Sequence, residues 1–386
     1  MTPDPSYDAY WMERALECAQ RSLFLSAPNP RVGCVLVYNN HVIAQGYTQQ
    51  AGQAHAEIMA LNEAQRQGFG DLRHSTMYVS LEPCSHYGRT KPCVDAIIAA
   101  QPKRVVIAMP DPNPQVSGRG IAQLRAAGIE VQVGVLLEQA AWLNVGFVSR
   151  MLDNRPWIWL KIASSMDGFT ALSDGSSQWI TSAAARDQGH VWRARSDLIV
   201  TGSGTVLADN PQLTVRAVPT ARQPMRGVFS GALSVPVAAR FFQDPPVMVW
   251  TTERSAPERR AAFEQQGVYV CCLPATKQGH VDLHAWKDWL SQQEFNEIHV
   301  EAGGQLNGAL VQAGLVDQVV TYLAPTYLLQ GHPAIVGKPP QQLSQAWRLS
   351  LVQAQTVGAD IELVLRNEAR WQALFTRLQQ QVQRDS

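Results

Sequence analysis

Runs of β-forming residues alternate with amphipathic helical stretches along nearly the whole chain, and this alternation constrains the fold more than any other feature. In the first half the β-rich runs lie at residues 32–38, 41–47, 76–80, 104–109 and 129–134. Strands that are connected through helices pair in parallel, so we expect a mostly parallel sheet in an α/β layer. Asn39 and Asn40 predict a tight turn that joins the first two runs in a hairpin.

A second α/β region follows a cluster of turn-forming residues at 153–156. Its β-rich runs lie at residues 157–163, 198–201, 226–229, 247–250, 268–271 and 297–300, with a helical stretch at 182–195. A chain of 386 residues allows two or three domains, at roughly 150 residues each. We therefore expect one domain over residues 1–152 and another over residues 153–369.

The charge balance excludes several kinds of partner. The 32 basic side chains offset 32 acidic ones, and 46% of the residues are hydrophobic. Nucleic acids and anionic membranes are bound through clustered positive charge, so we expect neither partner.

The apolar runs, such as residues 105–109, are far shorter than the roughly twenty residues of a membrane span. The first residues lack the pattern of a secretory signal, and six cysteines make no disulfide framework, so we expect a cytoplasmic protein.

The pattern His55-x-Glu57, followed by Pro83-Cys84 and then Cys93, is typical of a zinc deaminase. One imidazole and two thiolates would hold the metal and leave a fourth position for water. Zinc lowers the pKa of bound water from 15.7 to roughly 7. Glu57 is not needed as a ligand, so it is free to carry a proton from that water to a departing amine.

The spacing of the two cysteines leaves other interpretations open. Eight residues separate Cys84 from Cys93, whereas the general deaminase signature has two. A structural zinc site, or cysteines that never meet the histidine, would use the same residues without catalysis. The remaining cysteines are expected to pack in the core: Cys18, Cys34, Cys271 and Cys272.

Eight longer stretches carry a resemblance to a known family. PNPRVGCVLV, AHAEIMAL, LEPCSHYGRTKPC and AMPDPNPQVSGRG resemble the deaminase domain of the bifunctional riboflavin-biosynthesis deaminase–reductases. LKIASSMDGFTA, SSQWIT, TVLADNPQLTVR and VEAGGQLNGALVQAGLVD resemble the reductase domain of that family. The resemblance covers roughly residues 7–368 and includes the eight-residue spacer. It implies a cytidine-deaminase-like three-layer domain followed by a dihydrofolate-reductase-like α/β domain.

The resemblance also implies two consecutive reactions on one phosphorylated pyrimidine. A step that needs one Zn²⁺ per chain would remove an amino group from 2,5-diamino-6-(ribosylamino)-4(3H)-pyrimidinone 5′-phosphate. NADPH would then reduce the ribosyl group to a ribityl chain, and we expect a homo-oligomer, either a dimer or a tetramer. The alternatives are a deaminase whose second domain is only a scaffold, a binding module with a structural zinc, or a nucleic-acid deaminase. The neutral charge and the long cysteine spacer speak against the last of these.

The site residues of the family can be carried over position by position. In the first domain these are the zinc ligands His55, Cys84 and Cys93, the acid/base Glu57, and the substrate residues Asn29, His86, Arg89 and Asn113. An arginine near the metal offers paired donors to a phosphate. The two asparagines lie beside prolines, where an ordinary turn would also favour them.

No G-x-G-x-x-G follows any strand of the second domain, so a Rossmann dinucleotide site is not supported. The resemblance implies NADPH contacts at Ala163, Trp179, Thr205, Asp209, Ser230, Gly303, Gly304, Gln305, Leu306, Asn307, Gly308 and Ala309. It implies substrate contacts at Lys161, Ser177, Arg193, Leu213, Arg216 and Glu301. A glycine pair that opens a helix suits a phosphate, because backbone N–H groups and the helix dipole face it. An ordinary tight turn would have the same sequence.

Three positions depart from the pattern of the family. Phe229 precedes Ser230 where an aspartate is frequent, which weakens the NADPH assignment there. Lys91 replaces a usual proline and Gln318 a frequent glutamate, and neither is expected to change the chemistry.

The last residues, 370–386, extend beyond the resemblance. Their apolar residues fall on one face of a helix: Trp371, Leu374, Phe375, Leu378 and Val382. A lone short helix is marginal in water, so this face must be covered. We expect the helix to pack on the second domain or across a subunit interface.

Overall fold

The computed structural model describes residues 5–86, 91–114 and 116–385. It divides the chain into two compact units. The first comprises Met1–Asn154 together with Gln372–Ser386, and the second comprises Arg155–Trp371. Each unit is built on its own β-sheet.

The first unit surrounds a five-stranded sheet with helices. Its strands are β1 (Gly33–Tyr38), β2 (His41–Tyr47), β3 (Thr76–Val79), β4 (Arg104–Ile107) and β5 (Glu130–Val133). Its helices are α1 (Pro5–Gln20), α2 (Ala56–Arg66), α3 (Cys93–Ala100), α4 (Arg119–Ala126), α5 (Leu137–Leu143) and α6 (Val145–Asp153). The strand order is β2-β1-β3-β4-β5, in which β1 is antiparallel to both neighbours and β3, β4 and β5 are parallel.

Two glycines and a tight turn set the geometry of the first hairpin. Asn39 and Asn40 have φ of 47° and 61°, the left-handed values that a two-residue hairpin turn requires. A Cβ at Gly33 would lie 1.9 Å from the Ala15 carbonyl oxygen, so α1 packs directly on β1. A Cβ at Gly46 would likewise lie 2.2 Å from the carbonyl oxygen of Ala56, the first residue of α2. The start of α2 is therefore held close against β2.

The two helices α5 and α6 are separated by the single residue Asn144. The Asn144 side-chain oxygen accepts a hydrogen bond from the Arg31 N–H at 2.7 Å. Its side-chain nitrogen donates to the Arg31 carbonyl at 2.9 Å. This buried amide satisfies backbone groups 113 residues away in the chain, which a local helical pattern does not reveal.

The second unit contains a nine-stranded sheet, a small two-stranded sheet and flanking helices. Its strands are β6 (Trp157–Ser165), β7 (Phe169–Ala171), β8 (Leu198–Gly202), β9 (Met225–Phe229), β10 (Val247–Thr251), β11 (Tyr269–Cys272), β12 (Glu297–Val300), β13 (Gln318–Ala324), β14 (His332–Pro333), β15 (Ser350–Val357) and β16 (Asp360–Arg366). Its helices are α7 (Ala183–Arg195), α8 (Ser203–Asp209), α9 (Pro257–Gln265), α10 (Leu283–Leu290) and α11 (Gly304–Gln312).

The large sheet is parallel over most of its width. Its order is β11-β10-β9-β8-β12-β6-β13-β16-β15, in which the first seven strands are parallel and β16 is antiparallel to both its neighbours, β13 and β15. The expected mostly parallel arrangement is confirmed, and β13, β15 and β16 extend the sheet beyond the strands that were expected from the sequence. In open parallel sheets ligands bind beyond the carboxyl ends of the strands. Ser230 and Glu301 directly follow β9 and β12 at this edge.

The end of the chain forms α12 (Glu368–Asp385), whose residues from Gln372 onward belong to the first unit. Leu374 and Leu378 are fully buried. Arg377 donates to the Asp153 carboxylate at 2.5 Å and to the Leu152 carbonyl at 2.8 Å. The expectation that this segment packs on the second domain is therefore wrong. An amphipathic pattern shows that a face must be covered, and it does not show which surface covers it.

Three of the four cysteines that were expected in the core are buried, namely Cys18, Cys34 and Cys271. Cys272 is exposed, because neighbouring residues of a strand point to opposite faces of the sheet. No helix within the described ranges has the length and apolar character to cross a membrane.

Candidate metal centre and cofactor site

Three side chains of the first unit converge where two helices begin. His55 is the residue that precedes α2, and Cys93 is the first residue of α3. Cys84 lies in the loop after β3, and the Cys93 N–H is 3.3 Å from its sulfur. The ligand atoms of the three residues all lie within 4.8 Å of one another. The structure therefore brings together the residues that the sequence analysis assigns to zinc.

The distances in this cluster fit a tetrahedral zinc ion. His55 Nδ1 lies 3.6 Å from the Cys84 sulfur and 3.3 Å from the Cys93 sulfur. Zinc bonds of about 2.3 Å to sulfur and about 2.0–2.1 Å to nitrogen place such atoms roughly 3.5 Å apart at tetrahedral angles. Three protein ligands leave one coordination position for water, as in catalytic rather than structural zinc sites.

The electrostatics of the cluster suit a thiolate ligand and a proton carrier. The Cys93 hydrogen bond lowers the pKa of Cys84, which favours the deprotonated sulfur that a metal needs. Glu57, in the first turn of α2, is buried and lies within hydrogen-bonding reach of Cys93. Burial raises the pKa of the Glu57 carboxyl to about 7, and the nearby Cys84 adds to this shift. A bound zinc cation would oppose the shift, because positive charge favours the ionised carboxylate.

The sequence analysis does not single out Glu82, although this residue organises the loops around the cluster. One carboxylate oxygen accepts the N–H groups of Asp111 and Gly118, both at 3.0 Å. The other accepts those of Gly120 at 3.0 Å and Ile121 at 3.4 Å. Glu82 thereby joins the start of α4 to the loop that supplies a zinc ligand two positions later. The only local signal is its place directly before the Pro-Cys pair.

The four expected substrate residues of the first unit have different surroundings. Asn29 is half-buried, and its N–H donates to the Ser26 carbonyl at 2.9 Å. Asn113 is half-buried in a turn, where its N–H donates to the Asp111 carboxylate at 2.8 Å. His86 is exposed. Arg89 lies outside the described residues.

Two expected substrate residues of the second unit bind each other. Arg193, on α7, forms a two-point ion pair with Glu301, with Nη2 and Oε2 2.8 Å apart. Arg193 also donates to the Thr214 carbonyl at 3.3 Å. Burial alone would raise the pKa of Glu301, but the Arg193 guanidinium holds it well below its usual range. Two residues that are both expected to contact the substrate thus also bind each other.

A buried histidine that the sequence analysis does not identify orients this carboxylate. The Trp159 indole nitrogen lies 2.6 Å from His299 Nδ1, and an indole N–H can only donate. His299 Nδ1 therefore accepts, and the proton on Nε2 is donated to Glu301 at 2.9 Å. Burial also lowers the pKa of His299, which favours this neutral form. The signal in the sequence is the alternation of Glu297, His299 and Glu301, which places all three on one face of the strand.

The other expected substrate residues surround this pair in part. Arg216 is exposed, and its guanidinium donates to the Thr214 hydroxyl at 2.7 Å. Leu213 is buried with a left-handed φ of 55°. Lys161 lies near Glu301 and Arg193, and burial lowers its pKa.

The expected NADPH residues include two buried atoms that lack a partner among the residues the structure describes. These are the Ser230 hydroxyl oxygen, beyond β9, and the Asn307 side-chain oxygen, on α11. A buried polar group without a hydrogen bond costs about 1–3 kcal/mol, so both atoms fit a site that a polar ligand completes. Apart from the glycines, the remaining expected NADPH residues are half-buried or exposed: Ala163, Trp179, Thr205, Asp209, Gln305, Leu306 and Ala309. The expected substrate residue Ser177 is also half-buried.

The glycines around α11 have two different roles. A Cβ at Gly304 would lie 2.3 Å from the Pro333 carbonyl oxygen, and one at Gly308 would lie 1.7 Å from the Val336 carbonyl oxygen. Both glycines therefore allow another chain segment to pack directly on the helix. A Cβ at Gly303 would meet no atom within 4 Å, so the space beside the helix start is open there. Of this group, Gly303 best fits backbone contact with a ligand.

We predict that Gly308→Ala destabilises the second unit by about 1–3 kcal/mol, because the added methyl group overlaps the Val336 carbonyl. The change is measured as a lower midpoint of urea unfolding, followed by the fluorescence of the buried tryptophans Trp250 and Trp286. Gly303→Ala is the matched control and is expected to unfold at the wild-type midpoint. Equal midpoints for the two variants would contradict the packing role of Gly308.

Comparison with known proteins agrees with both halves of this arrangement. The family model of the cytidine and deoxycytidylate deaminase zinc-binding region matches residues 5–109. The model of the RibD C-terminal domain matches residues 156–363. The expected fold class, a deaminase-like domain followed by a dihydrofolate-reductase-like domain, is thereby confirmed.

Similar full-length proteins extend the agreement over nearly the whole chain. The riboflavin biosynthesis protein RibD of Escherichia coli (strain K12) is 42% identical over 371 residues, which cover 93% of this chain and 99% of that protein. The structure of Acinetobacter baumannii RibD has a TM-score of 0.83 and 38% identity, covering 94% of this chain and 99% of that one. A diaminohydroxyphosphoribosylaminopyrimidine deaminase/5-amino-6-(5-phosphoribosylamino)uracil reductase from Thermotoga maritima has a TM-score of 0.81 and 31% identity, covering 94% and 99% of the two chains. Together with the His55, Cys84 and Cys93 zinc site, these matches show that the chain belongs to the RibD family of bifunctional deaminase–reductases in riboflavin biosynthesis.

Proposed function

We propose that this enzyme deaminates 2,5-diamino-6-(ribosylamino)-4(3H)-pyrimidinone 5′-phosphate and then reduces the ribosyl group of the product with NADPH. The observation that carries the first step is the His55, Cys84 and Cys93 cluster beside the buried Glu57. The second step is supported by the match to the RibD C-terminal domain and by the polar atoms at the carboxyl edge of the large sheet.

In the proposed deamination the protein supplies the ligands and moves the protons. His55, Cys84 and Cys93 would hold the zinc, which when bound supplies a water of lowered pKa. Glu57 would accept a proton from that water and deliver it to the departing amine, and its burial keeps bulk water from competing. Asn29, His86, Arg89 and Asn113 are proposed to hold the pyrimidine and its phosphate.

In the proposed reduction the cofactor supplies the hydride, and the protein positions both reactants. Ser230, Asn307 and the backbone at Gly303 are proposed to contact NADPH, together with Ala163, Trp179, Thr205 and Asp209. Arg216 suits the substrate phosphate better than Arg193 does, because both terminal branches of Arg193 already bind Glu301 and Thr214. Glu301 would present one fixed carboxylate to the ribosyl hydroxyls, held by Arg193 and His299.

Product masses test the proposal directly. The purified enzyme with the diamino substrate is expected to release one ammonia without NADPH, and to add two hydrogens to the product when NADPH is present. Ammonia release with no further reduction, from a folded protein that binds no NADPH, would favour the alternative in which the second domain is a scaffold. Absence of both products from the zinc-loaded enzyme would refute the proposed function.

The assembly and the location are also proposals. A homo-oligomer, either a dimer or a tetramer, is proposed from the resemblance and is tested by sedimentation equilibrium. A cytoplasmic location is proposed because none of the six cysteines is in a disulfide, as a reducing compartment favours.

A further inference from the structure

The last turns of α12 contact the turn that carries Asn113. The Gln381 side-chain nitrogen lies 3.4 Å from the Ser117 hydroxyl oxygen. An Asp385 carboxylate oxygen lies so close to Gly118 that a Cβ there would be only 2.8 Å from it. The Ser117 N–H in turn donates to the Asn113 carbonyl at 3.0 Å. The helix end therefore touches two consecutive residues of this turn.

The other side of the same turn is bonded to the loop of the zinc site. The Gly118 N–H donates to Glu82 at 3.0 Å, and Glu82 lies two residues before the zinc ligand Cys84. Gly118 has φ of 79° and is the residue that precedes α4. The turn is thus held between the chain terminus and the carboxylate that organises the metal loop.

The helix itself is anchored independently of these contacts. Leu374 and Leu378 are fully buried, and Arg377 binds Asp153 and the Leu152 carbonyl. Further along, Val382 packs on Gly134. The contacts of the final turn are therefore made by a helix whose position other residues already fix.

We propose that α12 is a positioning element of the deaminase site, which holds Ser117 and Gly118 in place so that Asn113, bonded to Ser117, meets the pyrimidine. The inference rests on the proposed function of the first unit. Residues that follow the reductase domain in the sequence would then serve the other reaction of the enzyme.

Two variants test the proposal in the zinc-loaded full-length enzyme. Gln381→Leu removes the bond to Ser117. Loss of the Gln381 side-chain oxygen breaks no further bond, because this oxygen has no partner among the described residues. The variant is expected to raise the KM of deamination about three- to tenfold, the size of one net hydrogen bond. Truncation after Leu378 keeps the buried anchors and is expected to raise KM at least tenfold. Both should change kcat less than threefold and keep one zinc per chain and wild-type reduction of the deaminated intermediate.

Arg377→Ala is the matched control, because it removes a contact of the same helix at Asp153 and leaves the turn untouched. Its KM is expected to stay at the wild-type value. Amide hydrogen exchange provides a readout that needs no substrate, and residues 111–121 should exchange faster in the truncated protein. Unchanged KM with unchanged exchange would overturn the proposal, as would a parallel loss of zinc and of both activities. A wild-type enzyme that does not deaminate would refute the proposed function, and the exchange rates would still decide whether α12 holds the turn.

Discussion

Glu57→Gln is expected to abolish ammonia release while the protein keeps its zinc. The amide preserves the size of the side chain but cannot accept the proton of the zinc-bound water. General acid–base catalysis typically contributes about 10²–10⁴-fold in rate, so deamination should fall by at least two orders of magnitude. His55, Cys84 and Cys93 are unchanged, so zinc should remain at one ion per chain. The measurements are ammonia release and metal content on the same sample.

A second substitution on α2 separates this effect from a general disturbance of the helix. Glu63 binds Gln67 at the other end of α2, and Glu63→Gln is expected to deaminate at the wild-type rate. The Glu57→Gln protein should still reduce the deaminated intermediate when this is supplied. Ammonia release from Glu57→Gln within tenfold of the wild type would show that another group moves the proton.

Arg193→Met is expected to cost the second unit about 3–5 kcal/mol and to abolish reduction. The substitution leaves the Glu301 carboxylate, whose side chain is only 13% exposed, without its guanidinium partner, and breaking a largely buried pair on one side carries a penalty of this size. It also removes one of the two residues that hold the Glu301 carboxylate in the position where it is proposed to contact the ribosyl group. Stability is measured by urea unfolding, and reduction by NADPH oxidation that depends on the deaminated intermediate.

The acid response of this pair provides an independent check. In the wild type the pKa of Glu301 lies below its unfolded value, so the pair stabilises the fold above that value and is lost as pH falls through the folded pKa. In Arg193→Met, burial without the guanidinium should raise the pKa of Glu301 above the unfolded value. The Glu301 contribution to stability should then fall as pH rises between the two pKa values, opposite in sign to the wild type.

Arg195→Met is the matched control on the same helix. Arg195 forms a comparable two-point pair with the buried Glu297, which lies four residues before Glu301 in the chain. This variant should lose a similar amount of stability and keep the wild-type KM for the intermediate at temperatures where it is folded. Equal losses of reductase activity in both arginine variants would indicate that Arg193 serves stability alone.

The zinc centre was predictable from the sequence because its chemistry is local. His55 and Glu57 are two residues apart, and each of the other two ligands directly follows a proline in the sequence. This short spacing keeps the Glu57 carboxyl group close to the zinc ligand His55. The two α/β regions were predictable for a similar reason, since the hydrophobic periodicity of a strand or helix depends only on residues that are close in the sequence.

The partners of individual side chains depended on tertiary structure. Asn144 bonds to Arg31 at the break between α5 and α6, and Trp159 on the neighbouring strand bonds to His299 and fixes its imidazole. Neither contact leaves a periodic signal, because the residues that meet are more than one hundred positions apart in the chain. The sequence showed that these polar groups exist, and only the fold determined what they bind.

Helix α12 shows most clearly which features the sequence predicts and which the tertiary structure determines. The sequence by itself predicted a helix with one apolar face, since its hydrophobic residues have helical spacing, and α12 (Glu368–Asp385) is that helix. Only the tertiary structure decided that residues from Gln372 onward pack within the first unit. The hydrophobic effect is non-directional and stabilises the helix against any surface that covers its apolar face. Which surface the helix packs on therefore depends on shape and on specific contacts such as that of Arg377 with Asp153.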